Sequence, residues 1–173
     1  MLDSRTALPF ARGLFAALDF SESMTSKYYL GCSYPLEAGS VVLPGNWGRI
    51  VGMYNTSGFG NAWIQFREDV FEKIRQDEYP QKPSRLKSIF LCESQQSLQE
   101  FLKLTSRGLD LMYEVTLLDP GEPIHRGCLS LLDFQQREGL ASFTAKARSY
   151  WSAASVLRAE IATTSRVRID AKI

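Results

Sequence analysis

The stretch AWIQFREDVFEKIRQDEY, residues 62 to 79, sets Phe66, Val70, Phe71 and Ile74 at offsets 0, 4, 5 and 8, the spacing of a helix with one buried stripe. Asn61 precedes it and can cap its first turn by accepting from a free backbone N–H. Pro80 and Pro83 stop it, because proline supplies no N–H and its ring clashes with the preceding turn. The period then changes. SIFLC (88–92) reads as a short apolar strand, and SQQSLQEFLKLTS (94–106) as a second helix entered through Ser94, with Leu98, Phe101 and Leu102 on one face.

The rest of the chain mixes the two periods without strict strand–helix–strand alternation. KYYLGCS (27–33) and SVVLPG (40–45) are β-prone runs punctuated by Pro35, Pro44 and Gly45. NTSGFGN (55–61) reads as a loop. LMYEVTLLD (111–119) is the best strand, expected to be central, and PGEP closes it with a turn. SLLDFQQREGLASFTAKARSYW (130–151) is helical in two pieces around Gly139. LRAEIATTSRVRID (157–170) reads as two strands joined at Thr163 to Ser165. This order predicts an α+β fold rather than a doubly wound parallel sheet.

At 173 residues the chain suits one domain with a real core. Residues 1–25 read as a tail or short amphipathic helix, with Leu8, Phe10, Leu14, Phe15 and Leu18 as its apolar set, and residues 26–173 as the domain. Asp3, Arg5 and Arg12 make a poor signal peptide, and no run approaches the roughly 20 apolar residues of a membrane span. Lys plus Arg total 20 against 19 Asp plus Glu, so net charge gives no case for a polyanionic partner.

Three widely spaced cysteines, Cys32, Cys92 and Cys128, fit neither a disulfide scaffold nor a Cys-x-x-Cys metal site, and read as free thiols in a reducing compartment. One histidine, His125, cannot build a His-based zinc site. Cys128 lies three residues after it, so strand geometry sends the two side chains to opposite faces, and His125 is expected at the surface or behind a site residue. The Gly-x-Gly-x-x-Gly and Gly-x-x-x-x-Gly-Lys-Ser/Thr cradles are both missing.

Glu160, acidic in the β-prone RAEIAT, is either a solvent-facing strand residue or a carboxylate at a sheet edge bordering a cleft. SIFLC followed by polar residues and a helix resembles the second core strand of the ADP-ribosyltransferase superfamily, with Phe90 at the position of a tyrosine. KYYLGCS resembles its first core strand, with Tyr29 near the place of a histidine, and RAEIAT its late strand with the catalytic glutamate. The order of EAGSVVLPGNWGRI, FRE, KPSRLKSIF, YEV and IHRG is similar to a small bacterial family associated with that superfamily. The likeness covers roughly residues 27 to 170. The class histidine is absent, and Arg158 stands two residues before Glu160, where arginine-modifying toxins carry Glu or Gln.

The resemblance implies a split β-sheet core with flanking helices. It implies a mono-ADP-ribosyltransferase, a glycosyltransferase-type enzyme moving ADP-ribose from NAD to a macromolecular acceptor, a protein before a nucleic acid, in the manner of a bacterial effector or toxin. The setting it implies is the cytoplasm, or a host cell reached without a classical signal peptide. The alternative is a catalytically inactive protein-binding module on the same fold.

Glu160 is then the catalytic carboxylate, facing positive charge as the nicotinamide bond breaks. Phe90 would stack on nicotinamide, and Tyr29 would bond the adenosine ribose or simply pack in its strand. Arg85, Arg49 and Arg67 are candidates for the diphosphate, each otherwise a solvated surface residue. Ser84, Arg85 and Lys87 would line the cleft mouth, and Ser88 joins the cofactor set. Trp47 and Trp63 flank the loop at 55–61, which would cover the nicotinamide or meet the target, and are otherwise core residues.

Overall fold

The structure, a computed structural model, describes residues 27–54, 61–133, 138–152 and 159–173. The segment 1–25 and most of the loop at 55–61 lie outside the described residues. Seven strands form two antiparallel sheets flanked by helices, an α+β fold. The strands are β1 (Tyr28–Cys32), β2 (Val41–Val42), β3 (Ile89–Leu91), β4 (Leu111–Leu117), β5 (Ile124–Cys128), β6 (Ala159–Thr163) and β7 (Val167–Lys172). The helices are α1 (Asn46–Tyr54), α2 (Ala62–Glu78), α3 (Gln95–Leu104) and α4 (Leu140–Ser152), with short 3-10 turns at Arg85–Lys87 and Leu129–Leu132.

One sheet has the order β1-β4-β7-β2 and the other β3-β6-β5. β4 is an inner strand, as its apolar run predicts. β6 and β7 are separated by three residues yet belong to different sheets: β6 pairs with β3 and β5, β7 with β4 and β2. The sheets share one core, built from Leu30, Tyr113, Val115, Val167 and Ile169 of the first and Ile89, Leu91 and Ile161 of the second. A single bridge between Tyr29 and Cys92 joins β1 to the end of β3.

The helix signals act as read. The Asn61 side chain accepts from Trp63 N at 3.0 Å and Ile64 N at 3.3 Å, and Ser94 accepts from Ser97 N at 3.1 Å. Phe71 and Ile74 pack with Ala147, Tyr150 and Trp151 of α4, and the Trp151 indole donates to Phe71 O at 2.8 Å.

GNWGRI, which the sequence assigns to no element, runs into the first turn of α1. A β carbon on Gly48 would lie 2.2 Å from Leu86 O, so this helix packs directly on the 3-10 turn carrying Arg85, an approach open only to glycine. IHRGC is strand β5, and its His125 is not at the surface but buried behind Tyr150, the second of its two expected places. Burial pushes the His125 pKa down to about 4, and Nε2 lies 3.0 Å from Tyr150 O. A carbonyl cannot donate, so Nε2 carries the proton.

Candidate functional site: buried ion pairs beneath an aromatic cleft

Arg67 and Glu68 lie four and three residues before Phe71 on α2, which sets both on the buried stripe of that helix. Glu68 is buried and accepts from Arg67 Nε at 3.1 Å and Nη2 at 2.7 Å. It also accepts from Arg85 Nε at 3.0 Å and Nη2 at 3.4 Å. Burial works to raise its pKa, but Arg85 and then Arg67 outweigh it and hold the carboxyl below the ordinary range.

Arg85 comes from the 3-10 turn pinned under α1. Its Nη1 donates to Tyr150 OH at 2.7 Å and to Glu160 Oε1, and its guanidinium carbon lies 4.8 Å from the Phe90 ring centre and 5.1 Å from that of Tyr150. Burial lowers the arginine's pKa, but Glu160 and then Glu68 raise it well above normal, so it stays charged. Tyr150 OH donates to Glu160 Oε1 at 2.7 Å. Burial lifts the phenol's pKa well above 10, with Arg85 opposing and Glu160 adding to it, which removes Tyr150 as a nucleophile.

Two guanidiniums and two carboxylates thus cancel within one buried cluster. Such clusters contribute little net stability, because desolvation offsets attraction, but they fix geometry and are costly to break. Above the cluster opens a cleft of about 460 Å³, within the roughly 300–1,000 Å³ range of small-molecule sites. Arg67, Arg85 and Glu160 reach it, with Trp47, Tyr54, Phe90 and Phe101 as aromatic walls.

Four of the expected residues, Glu160, Arg85, Phe90 and Arg67, therefore share one cleft. Three do not line it. Tyr29 packs against Cys92, Leu98 and Leu102. Arg49 is exposed on α1, with Nη2 donating to Asn46 Oδ1 at 3.2 Å. Ser88 is buried with its hydroxyl on Ser84 O at 2.7 Å.

The turn before β3 is also not a cationic mouth. Ser84 is buried and donates to Glu72 at 2.8 Å, and only Lys87 is exposed. Arg85 spends donors on Glu68, Tyr150 and Glu160, so a bidentate grip on a diphosphate would require breaking that set. Glu160 lies on the central strand of its sheet, not on an edge.

Of the tryptophans, Trp47 lines the cleft, while Trp63 is 58% exposed and stacks on Phe143 at 6.5 Å. Glu68 and Tyr150 escaped the sequence reading. The signal for Glu68 was its spacing from Phe71. For Tyr150 only its place on the Phe143–Ala147–Tyr150 stripe of α4 was visible.

The fold and site define an α+β protein with a charge-balanced cluster at the floor of an aromatic cleft. The chain belongs to a family described as a protein of unknown function, DUF2441, whose model matches residues 44–173. That span contains every cleft-lining residue, from Trp47 to Glu160, and leaves out β1 and β2. No curated protein matches the chain. Among the described residues no helix is long and apolar enough to cross a membrane.

Proposed function

We propose that the cleft is the site of a mono-ADP-ribosyl transfer from NAD to a protein acceptor. One observation carries the reading: Glu160, Phe90, Arg85 and Arg67, drawn from three separate stretches of chain, line the same cleft. In the reaction, the bond between ribose C1′ and the nicotinamide nitrogen breaks and its electron pair leaves with nicotinamide. An acceptor nucleophile then bonds to C1′ and gives up its proton.

Positive charge develops on the ribose as the bond lengthens. A carboxylate held beside it lowers that barrier by interacting more strongly with the transition state than with the substrate. Glu160 has that role, Phe90 forms an apolar wall for the leaving ring, and Arg67, whose three guanidinium nitrogens already donate to Glu68 and Leu132 O, offers the phosphates its positive charge rather than a bidentate grip. The setting is the cytoplasm, or a host cell into which the protein is delivered as an effector.

The pairing of Glu160 with Arg85 favours a second reading, an inactive module that binds a protein partner, because the carboxylate is already neutralised. Tagged NAD in lysate and with purified protein separates the two. The enzyme labels an acceptor or releases nicotinamide, and Glu160→Gln, checked for folding by circular dichroism, abolishes both. Folded wild type that does neither overturns the transferase.

A further inference from the structure

Glu160 presents its two oxygens unequally. Oε1 takes both protein donors, the Tyr150 hydroxyl at 2.7 Å and Arg85 Nη1, while no described donor reaches Oε2. Both donors are themselves held. Arg85 is fixed by Glu68 through Nε and Nη2. The Tyr150 ring lies edge-on to Trp151, at 4.8 Å between centres, and against Gly127 of β5, the strand beside Glu160, where no side chain intervenes.

We infer that Tyr150 and Arg85 are positioning residues that occupy Oε1 of Glu160 and leave Oε2 as the one carboxylate oxygen offered to a ligand in the cleft. Arg85 is on this account no phosphate clamp. It acts through Glu160, and Glu68 acts through Arg85. A carboxylate with one oxygen anchored cannot rotate away from the ligand, and such preorganisation is how a fixed charge acts without reorganising as the reaction proceeds.

The kinetic test rests on the proposed reaction and the structural test does not. In the first, Tyr150→Phe, which keeps the ring, and Arg85→Lys are compared with wild type on NAD and on nicotinamide riboside, which lacks the diphosphate. Positioning predicts kcat lower by about 10- to 100-fold, the scale of a lost hydrogen bond to a charged group, for both substrates alike, with KM within about twofold. An unchanged kcat, or a raised KM for NAD alone, overturns positioning and restores the clamp.

In the second test, the crystal structure of Tyr150→Phe is expected to show the Glu160 carboxylate rotated or split between rotamers. An unmoved carboxylate overturns positioning by Tyr150, and an unmoved carboxylate in Arg85→Lys overturns it for Arg85. If the wild type turns over neither substrate, the transferase reading falls and this second test alone decides.

Discussion

Gly127→Ala tests whether the site depends on a single missing side chain. Glycine-to-alanine changes in compatible backbone usually stabilise slightly, by up to about 1 kcal/mol, through the unfolded chain. Gly127 is in a regular strand, so only space opposes the change. A β carbon there would lie 2.0 Å from Tyr150 Cε2, 2.2 Å from Cζ and 2.4 Å from the hydroxyl. Carbon contacts are ordinarily about 3.5–4.0 Å, so ring or strand must give way by about 1.5 Å.

The ring is buried against Phe71 and Trp151 and cannot retreat freely. Overpacking costs about 1–3 kcal/mol, and stretching the phenol's bonds to Arg85 and Glu160 adds about 1.5–3 kcal/mol. The expected loss of about 2.5–6 kcal/mol is read from urea unfolding. In a Tyr150→Ala background the carbon enters vacated space, and its cost should fall below about 1 kcal/mol. Equal costs in the two backgrounds, or a wild-type cost under about 0.5 kcal/mol, would refute the reasoning.

Glu68→Gln leaves Arg67 and Arg85 buried with one carboxylate between them, so stability should fall by about 3–5 kcal/mol. Chemical denaturation checks this, and a loss under about 1 kcal/mol would mean that the guanidiniums find water instead. His125 has a folded pKa of about 4 against about 6.5 unfolded. Between those values the unfolded chain binds a proton that the folded chain refuses, so stability falls as pH is lowered. The expected loss is about 2 kcal/mol from pH 7 to pH 5, read as a shift in urea midpoint that His125→Phe removes.

Local signals identified local structure. The α2 stripe and the Asn61 and Ser94 caps were legible because their causes lie within a few residues. Four cleft residues were legible too, although Arg67 looked like a solvated helix residue beside Glu68 and Asp69. The cluster that joins them was not. Arg85 meets Tyr150 across 65 positions and Glu160 across 75, and no local spacing records such a pairing. Nothing in GNWGRI marked a helix, because its glycines lower helix propensity. The cause of Gly48, a backbone oxygen 2.2 Å from where a side chain would begin, belongs to a segment nearly forty residues later.

The partition of β6 and β7 between the two sheets bears on how the protein is made. Residues 159–172 supply an inner strand to each sheet: β6 separates β3 from β5, and β7 separates β4 from β2. A ribosome adds roughly 5–20 residues per second, and until residues 159–172 emerge neither β3 nor β5 has its partner β6 beside it. The buried arginines would meanwhile lack Glu160. The nascent chain must keep its earlier strands from pairing wrongly until then, which makes the interval before β6 emerges the one in which a chaperone has most to do.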